Sequence, residues 1–100
     1  MTHIMLNFYS KKAEKKHIDL ESIDLNLDIV PRKHESIQLS LKMLIEEDPS
    51  FAIIYDGVKD EYPIDFTVID VSHALFVVDD DWQHGIILTI QDSKEFKSRF

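Results

Sequence analysis

From Ser22 to Val30 every second residue is apolar: Ile23, Leu25, Leu27 and Ile29 alternate with Asp24, Asn26 and Asp28. A period of two predicts a strand with one buried and one wet face, ended by Pro31. Residues 3–9 (HIMLNFY) have the apolar content of a strand, while 10–17, polar and rich in Lys, Ala and Glu, suit a short helix or an exposed loop. The segment 35–47 carries two patterns. Ile37, Leu39, Leu41, Met43 and Ile45 alternate as in a strand, yet Leu, Lys, Met and Glu favour a helix and Asp48-Pro49 makes a natural stop. Composition tilts this segment toward helix.

Beyond Pro49 the chain reads as a strand meander. Residues 51–55 (FAIIY) run into the turn signal Asp56-Gly57. Along 66–71, Phe66, Val68 and Asp70 alternate with Thr67, Ile69 and Val71. The run 74–78 (ALFVV) predicts a strand buried on both faces, 79–85 a polar loop, 86–90 a closing strand and 93–100 a short capping helix. The expected architecture is α+β, a single domain over 1–100 with an antiparallel β-sheet of four to six strands and one or two helices.

Composition supports a folded domain. Apolar residues make up 44% of the chain, enough for a core, and two glycines and three prolines leave little room for linkers. There is no cysteine, and the opening MTHIMLNFYSKK lacks the basic and apolar regions of a secretory leader. The five-residue run at 74–78 falls far short of a membrane span. These features predict a cytoplasmic protein with no membrane contact.

Charge changes the picture most. The net charge is −8, but residues 1–42 carry +1, residues 43–92 carry −11 with Lys59 as their one cation, and the last eight residues carry +2. An anionic stretch of that size repels nucleic acid and attracts basic partners. Direct nucleic-acid binding needs a basic stripe. Only Lys11, Lys12, Lys15 and Lys16 offer one, without aromatic or Gly-rich accompaniment.

No catalytic constellation is visible. The chain has no Cys nucleophile, Gly-rich phosphate loop or nucleophile elbow. Ser72 and His73 are neighbours on a strand and point to opposite faces. The five histidines lack metal-binding spacing. Asp79, Asp80, Asp81 and His84 share a loop, but adjacent acids do not all converge on one ion, so neither metal nor cofactor is expected. The expectation is a protein that is not an enzyme.

Two acidic clusters have aromatic company. Asp79, Asp80 and Asp81 directly precede Trp82, the only tryptophan, and Asp56, Asp60 and Glu61 precede Tyr62. Carboxylates steer and pair with Lys and Arg, while aromatic anchors supply desolvated contact area. These eight residues are the expected partner-binding set. The bland alternatives are a solvated acidic face and a Trp82 packed on the edge of the core.

In size, acidity and lack of catalytic motifs the whole chain resembles the bacterial immunity proteins of contact-dependent growth inhibition and related polymorphic toxins. That resemblance implies an inhibitor of a basic toxin, a nuclease domain above all, whose substrate cleft an acidic surface would occupy or flank. Three other readings share the same features. One is an acidic nucleic-acid mimic that blocks a DNA-binding defence protein. The others are a small enzyme or ligand-binding domain and an assembly subunit.

Overall fold

The computed structural model describes residues 2–59 and 61–98. Its elements in chain order are β1 (Thr2–Tyr9), α1 (Lys11–Lys15), β2 (Ile23–Leu27), β3 (Ser36–Ser40), α2 (Leu41–Glu47), α3 (Ser50–Ile54), β4 (Pro63–Val78), β5 (Asp81–Asp92) and α4 (Ser93–Lys97). The strands form one sheet in the order β2-β1-β5-β4-β3. The α+β class holds, but the sheet is mixed: β1 and β5 are parallel, the other neighbours antiparallel. The chain turns back through α1 to lay β2 on one side of β1, leaving the other side open. The return arm of the β4–β5 hairpin fills it, running the same way as β1. Among the described residues four short helices replace the expected one or two.

The segment 35–47 is strand and then helix. Ile37 and Leu39 alternate along β3, Ser40 accepts a hydrogen bond from the Met43 N–H as helix cap, and Leu41 and Leu44 then fall at helical spacing. Both patterns in the sequence are real, and Ser40 divides them. The FAIIY segment is helical, contrary to expectation. Asp48 accepts from the Ser50 N–H, Pro49 has the φ of a first helical turn, and Phe51 and Ile54 bury one stripe. Asp48-Pro49 thus starts a helix as well as stopping one. β2 ends at Leu27, because its last pair is with Thr2 at the start of β1. Ile29, beyond that point, pairs with no strand among the described residues and is 85% exposed.

The core lies on one face of the sheet, here called the inner face. Ile4, Leu6, Ile23, Leu39, Phe66, Val68, Ile86, Leu88 and Ile90 meet Leu44 of α2 and Phe51 of α3 there. The Phe8 ring stands edge-on to Phe51 and Phe66, with centroids 4.9 and 5.5 Å away. Each such side chain contributes about 1.5–3 kcal/mol on full burial, so this cluster dominates the stability of the fold.

A β-bulge between Val68 and Asp70 sets the phase of β4. Before it, Phe66 and Val68 face inward. After it, Val71 pairs with Leu88, and the inward residues become Val71, His73, Leu75 and Val77. The simple alternation expected along 66–71 therefore breaks: Val71 points in and Asp70 out.

Candidate functional site

β4 and β5 outrun their neighbours. β3 leaves β4 at Thr67, and β1 meets β5 only from Gly85 onward. The remainder of the hairpin is a two-stranded ribbon with no strand beside it and no helix above it among the described residues. We call this end of the sheet the tip and the Pro63 end the base.

The run 74–78, expected to be buried on both faces, lies in this ribbon. Leu75 is 66% exposed, Val77 59% and Trp82 72%. Register places Val77 opposite Trp82 and Leu75 opposite His84 on the inner face, so the apolar surface of the core continues outward, uncovered. His73 Nδ1 and His84 Nε2 lie 2.8 Å apart with their rings stacked at 10°. On the outer face the Phe76 ring lies over Gly85, where a Cβ would collide with it, and meets the His3 ring edge-on.

The expected 79–85 loop is instead a two-residue turn followed by strand. Asp79 and Asp80 form the turn with φ of 51° and 66°, and Asp81 opens β5 opposite Val78. Positive φ at both central residues is the geometry that lets a tight hairpin keep its right-handed twist. Asp79, Asp80, Asp81 and Trp82 are thus brought together at the tip, all exposed. No Lys or Arg occurs between residues 60 and 93 to offset them. His84 engages His73 and not the aspartates, and no three His, Asp or Glu side chains among the described residues are placed to hold a metal ion.

The second predicted cluster lies elsewhere. Asp56, Glu61 and Tyr62 sit at the base, separated from the tip by the sixteen residues of β4 in a molecule 44 Å long. Asp60 lies outside the described residues. The two clusters cannot contact one small partner surface together. Their charge also differs in setting. Tyr62 lines a cleft of about 560 Å³ between α3 and α4, to which Lys12, Lys94 and Lys97 contribute. Spatial neighbours from α1 and α4 thus dilute an acidity that looks continuous along the chain.

Sequence reasoning did not find this cleft, because its residues come from elements far apart in the chain. Within it the Tyr55 hydroxyl donates to Asp92 at 2.8 Å. Burial, that hydrogen bond, and the charges of Asp92 and Glu95 push the Tyr55 phenol well above its ordinary pKa. Glu95 in turn accepts from the Lys11 N–H at 2.9 Å and from Gln91 at 3.3 Å. Hydrogen bonds to Asp92 and Glu95 thus tie α1, α3 and β5 together across the cleft, which gives it the chemistry of a clasp between elements. The tip has no such internal partners, and its carboxylates and indole face solvent.

No helix among the described residues is long and apolar enough to cross a membrane. No protein family, curated protein or solved structure matches the chain.

Proposed function

We propose that this protein is an inhibitor that neutralises a basic partner, a nuclease toxin domain in the first instance, as an immunity protein does. One observation supports the reading above the others. The ribbon carries three consecutive aspartates and an exposed Trp82 at its tip, contains no cation, and leaves its apolar inner face open. Clefts that accept nucleic acid are basic, so an acidic projecting ribbon is complementary to them in charge. The aspartates would accelerate encounter and oppose substrate phosphates, while Trp82, Val77 and Leu75 would supply the desolvated centre of the contact.

The contact set narrows accordingly to Asp79, Asp80, Asp81 and Trp82, with Asp56, Glu61 and Tyr62 on a separate surface. Co-expression with a basic nuclease toxin domain, sought among the genes that adjoin its own, tests the reading. Growth should be restored, and the complex should associate more slowly as salt rises. Asp79→Asn/Asp80→Asn/Asp81→Asn should flatten that salt dependence, and Trp82→Ala should speed dissociation. Unchanged rescue, association rate and salt dependence in all these variants would falsify the proposal.

A further inference from the structure

We propose that the open edge of β4 receives an extended basic segment of a partner as an added strand. The proposal rests on the reading of the ribbon as the partner-binding element and specifies how the contact is made.

On its β3 side, β4 is closed as far as Val68. The Val68 carbonyl accepts from the His34 N–H at 2.7 Å, and the Val68 N–H donates to the Glu35 carbonyl at 2.9 Å. From 69 to 78 no described strand pairs on that side, while the other side is paired with β5 down to the turn. The two-residue turn fixes the phase of that pairing. Val78 and Asp81 flank it as a hydrogen-bonded pair, so Val78, Phe76, Ala74 and Ser72 direct their backbone groups to β5. Val71, His73, Leu75 and Val77 then direct theirs outward: four donors and four acceptors in a row. The opposite edge of the ribbon offers only residues 81–84 before β1 begins.

Exposed strand edges usually carry a protecting lysine, proline or bulge. Residues 70–78 contain no Lys, Arg or Pro, and the bulge precedes them. Leu75 and Val77 hold an apolar surface beside the open backbone. Such an edge takes another strand, with main-chain hydrogen bonds giving affinity and alternate side chains giving specificity.

Charge decides the occupant. If two copies paired antiparallel along 71–77, Asp79 and Asp80 of one would lie beside Asp70 of the other. No Lys or Arg between 60 and 93 would offset them. A segment with Lys or Arg at both ends and β-branched residues between meets Asp70 at one end and Asp79, Asp80 and Asp81 at the other. The span is about 30 Å at strand rise, or eight to nine residues.

The test uses the full chain and a blocked peptide, KRVTVTRK, read by Trp82 fluorescence and amide hydrogen exchange. Binding should slow exchange at Val71, His73, Leu75 and Val77. The same peptide with alternate amides N-methylated keeps its charge and should bind about tenfold more weakly. Leu75→Pro should weaken binding as much, since it removes an outward N–H without touching the β5 ladder, while Leu75→Ala should weaken it less. Equal affinity for the N-methylated peptide, or protection at residues 82 and 84 instead, overturns the proposal. So does a dimer in which the four amides are already protected. If Asp79→Asn/Asp80→Asn/Asp81→Asn leaves peptide affinity unchanged while Leu75→Pro reduces it, the backbone pairing stands, but the basic character assigned to the segment and the charge-driven inhibitor reading both fail.

Discussion

Replacing Asp79 by Asn and Asp80 by Gly probes the tip of the ribbon, because both residues hold left-handed backbone at φ 51° and 66°. That conformation costs an ordinary L-residue roughly 1–2 kcal/mol, less for Asp, which tolerates it better than most. Asn-Gly is the preferred pair for a two-residue hairpin turn, and glycine removes the steric cost at the second position at some entropic cost in the unfolded chain. The net gain should be about 1 kcal/mol, raising Tm by about 4–8 °C in a domain of this size. Two of three adjacent carboxylates also disappear, which adds a further gain at low salt that fades as salt screens it. Calorimetric melts at low and high salt separate the two contributions. Asp81→Asn is the control: Asp81 has no positive φ, so its substitution should give only the salt-dependent part. A Tm that stays level or falls at both salts refutes the strained-turn argument. A higher Tm with undiminished association to a basic partner refutes the role assigned to the acids.

Asp48→Ala should destabilise the fold by about 2–3 kcal/mol in chemical denaturation, because the buried carboxylate accepts from Glu21 N–H at 3.0 Å and Ser50 N–H at 2.9 Å. Burial pushes that carboxyl up, but the bonds from Glu21 and Ser50 outweigh it and hold it below its ordinary pKa. Its contribution is therefore complete above about pH 4 and lost as pH falls through the depressed value, so the variant should show a flatter acid limb. Gly85→Ala should cost about 1–2 kcal/mol by displacing the Phe76 ring, and a double-mutant cycle with Phe76→Ala should show the cost nearly abolished. Tyr55 should remain un-ionised as pH rises through the ordinary tyrosine range, so Tyr55→Phe should leave the ultraviolet titration of the folded protein unchanged there. Because the unfolded phenol ionises near pH 10, the contribution of Tyr55 to stability should fall as pH climbs past that point.

Much of the sheet was legible in the sequence, and the misses have physical causes. β1, β2 and the inner end of β5 follow directly from apolar content and alternation. FAIIY misled because a five-residue apolar run fits a short buried strand as well as one helical stripe. The deciding signal was the Asp48-Pro49-Ser50 cap that precedes it. The bulge at Ile69 left no mark beyond two apolar residues, Val68 and Ile69, in succession. The acids and Trp82 at the tip were found from charge and composition. Their separation from Asp56, Glu61 and Tyr62 was not, since it depends on β4 running unbroken for sixteen residues. ALFVV reads as interior by composition, and only the early ends of β1 and β3 place it outside.

Those early ends make the ribbon separable from the fold. None of residues 75–84 belongs to the core cluster, and a two-stranded ribbon by itself is at best marginally stable in water. Apolar side chains at Leu75, Val77 and Trp82 thus contribute little where they stand. The bulge turns the first two of these, which lie beyond it, to the same side as the core. Ala74 and Gly85 form a pair in the same phase as the two flanking the natural turn, so Asn-Gly can replace residues 75–84 without a register shift. The shortened protein loses Phe76, its contact with His3 and half the histidine pair, together about 1–2 kcal/mol. It should still unfold cooperatively, with the slowly exchanging amides of β1 and the inner part of β5 retained, yet restore no growth against a toxin that the full chain neutralises. A shortened chain that loses its cooperative transition would make the ribbon part of the folding unit and remove the ground for treating it as a contact arm. One that folds and still protects would move the inhibitory surface away from the tip, to the base, where Tyr62 and Glu61 stand beside the cleft.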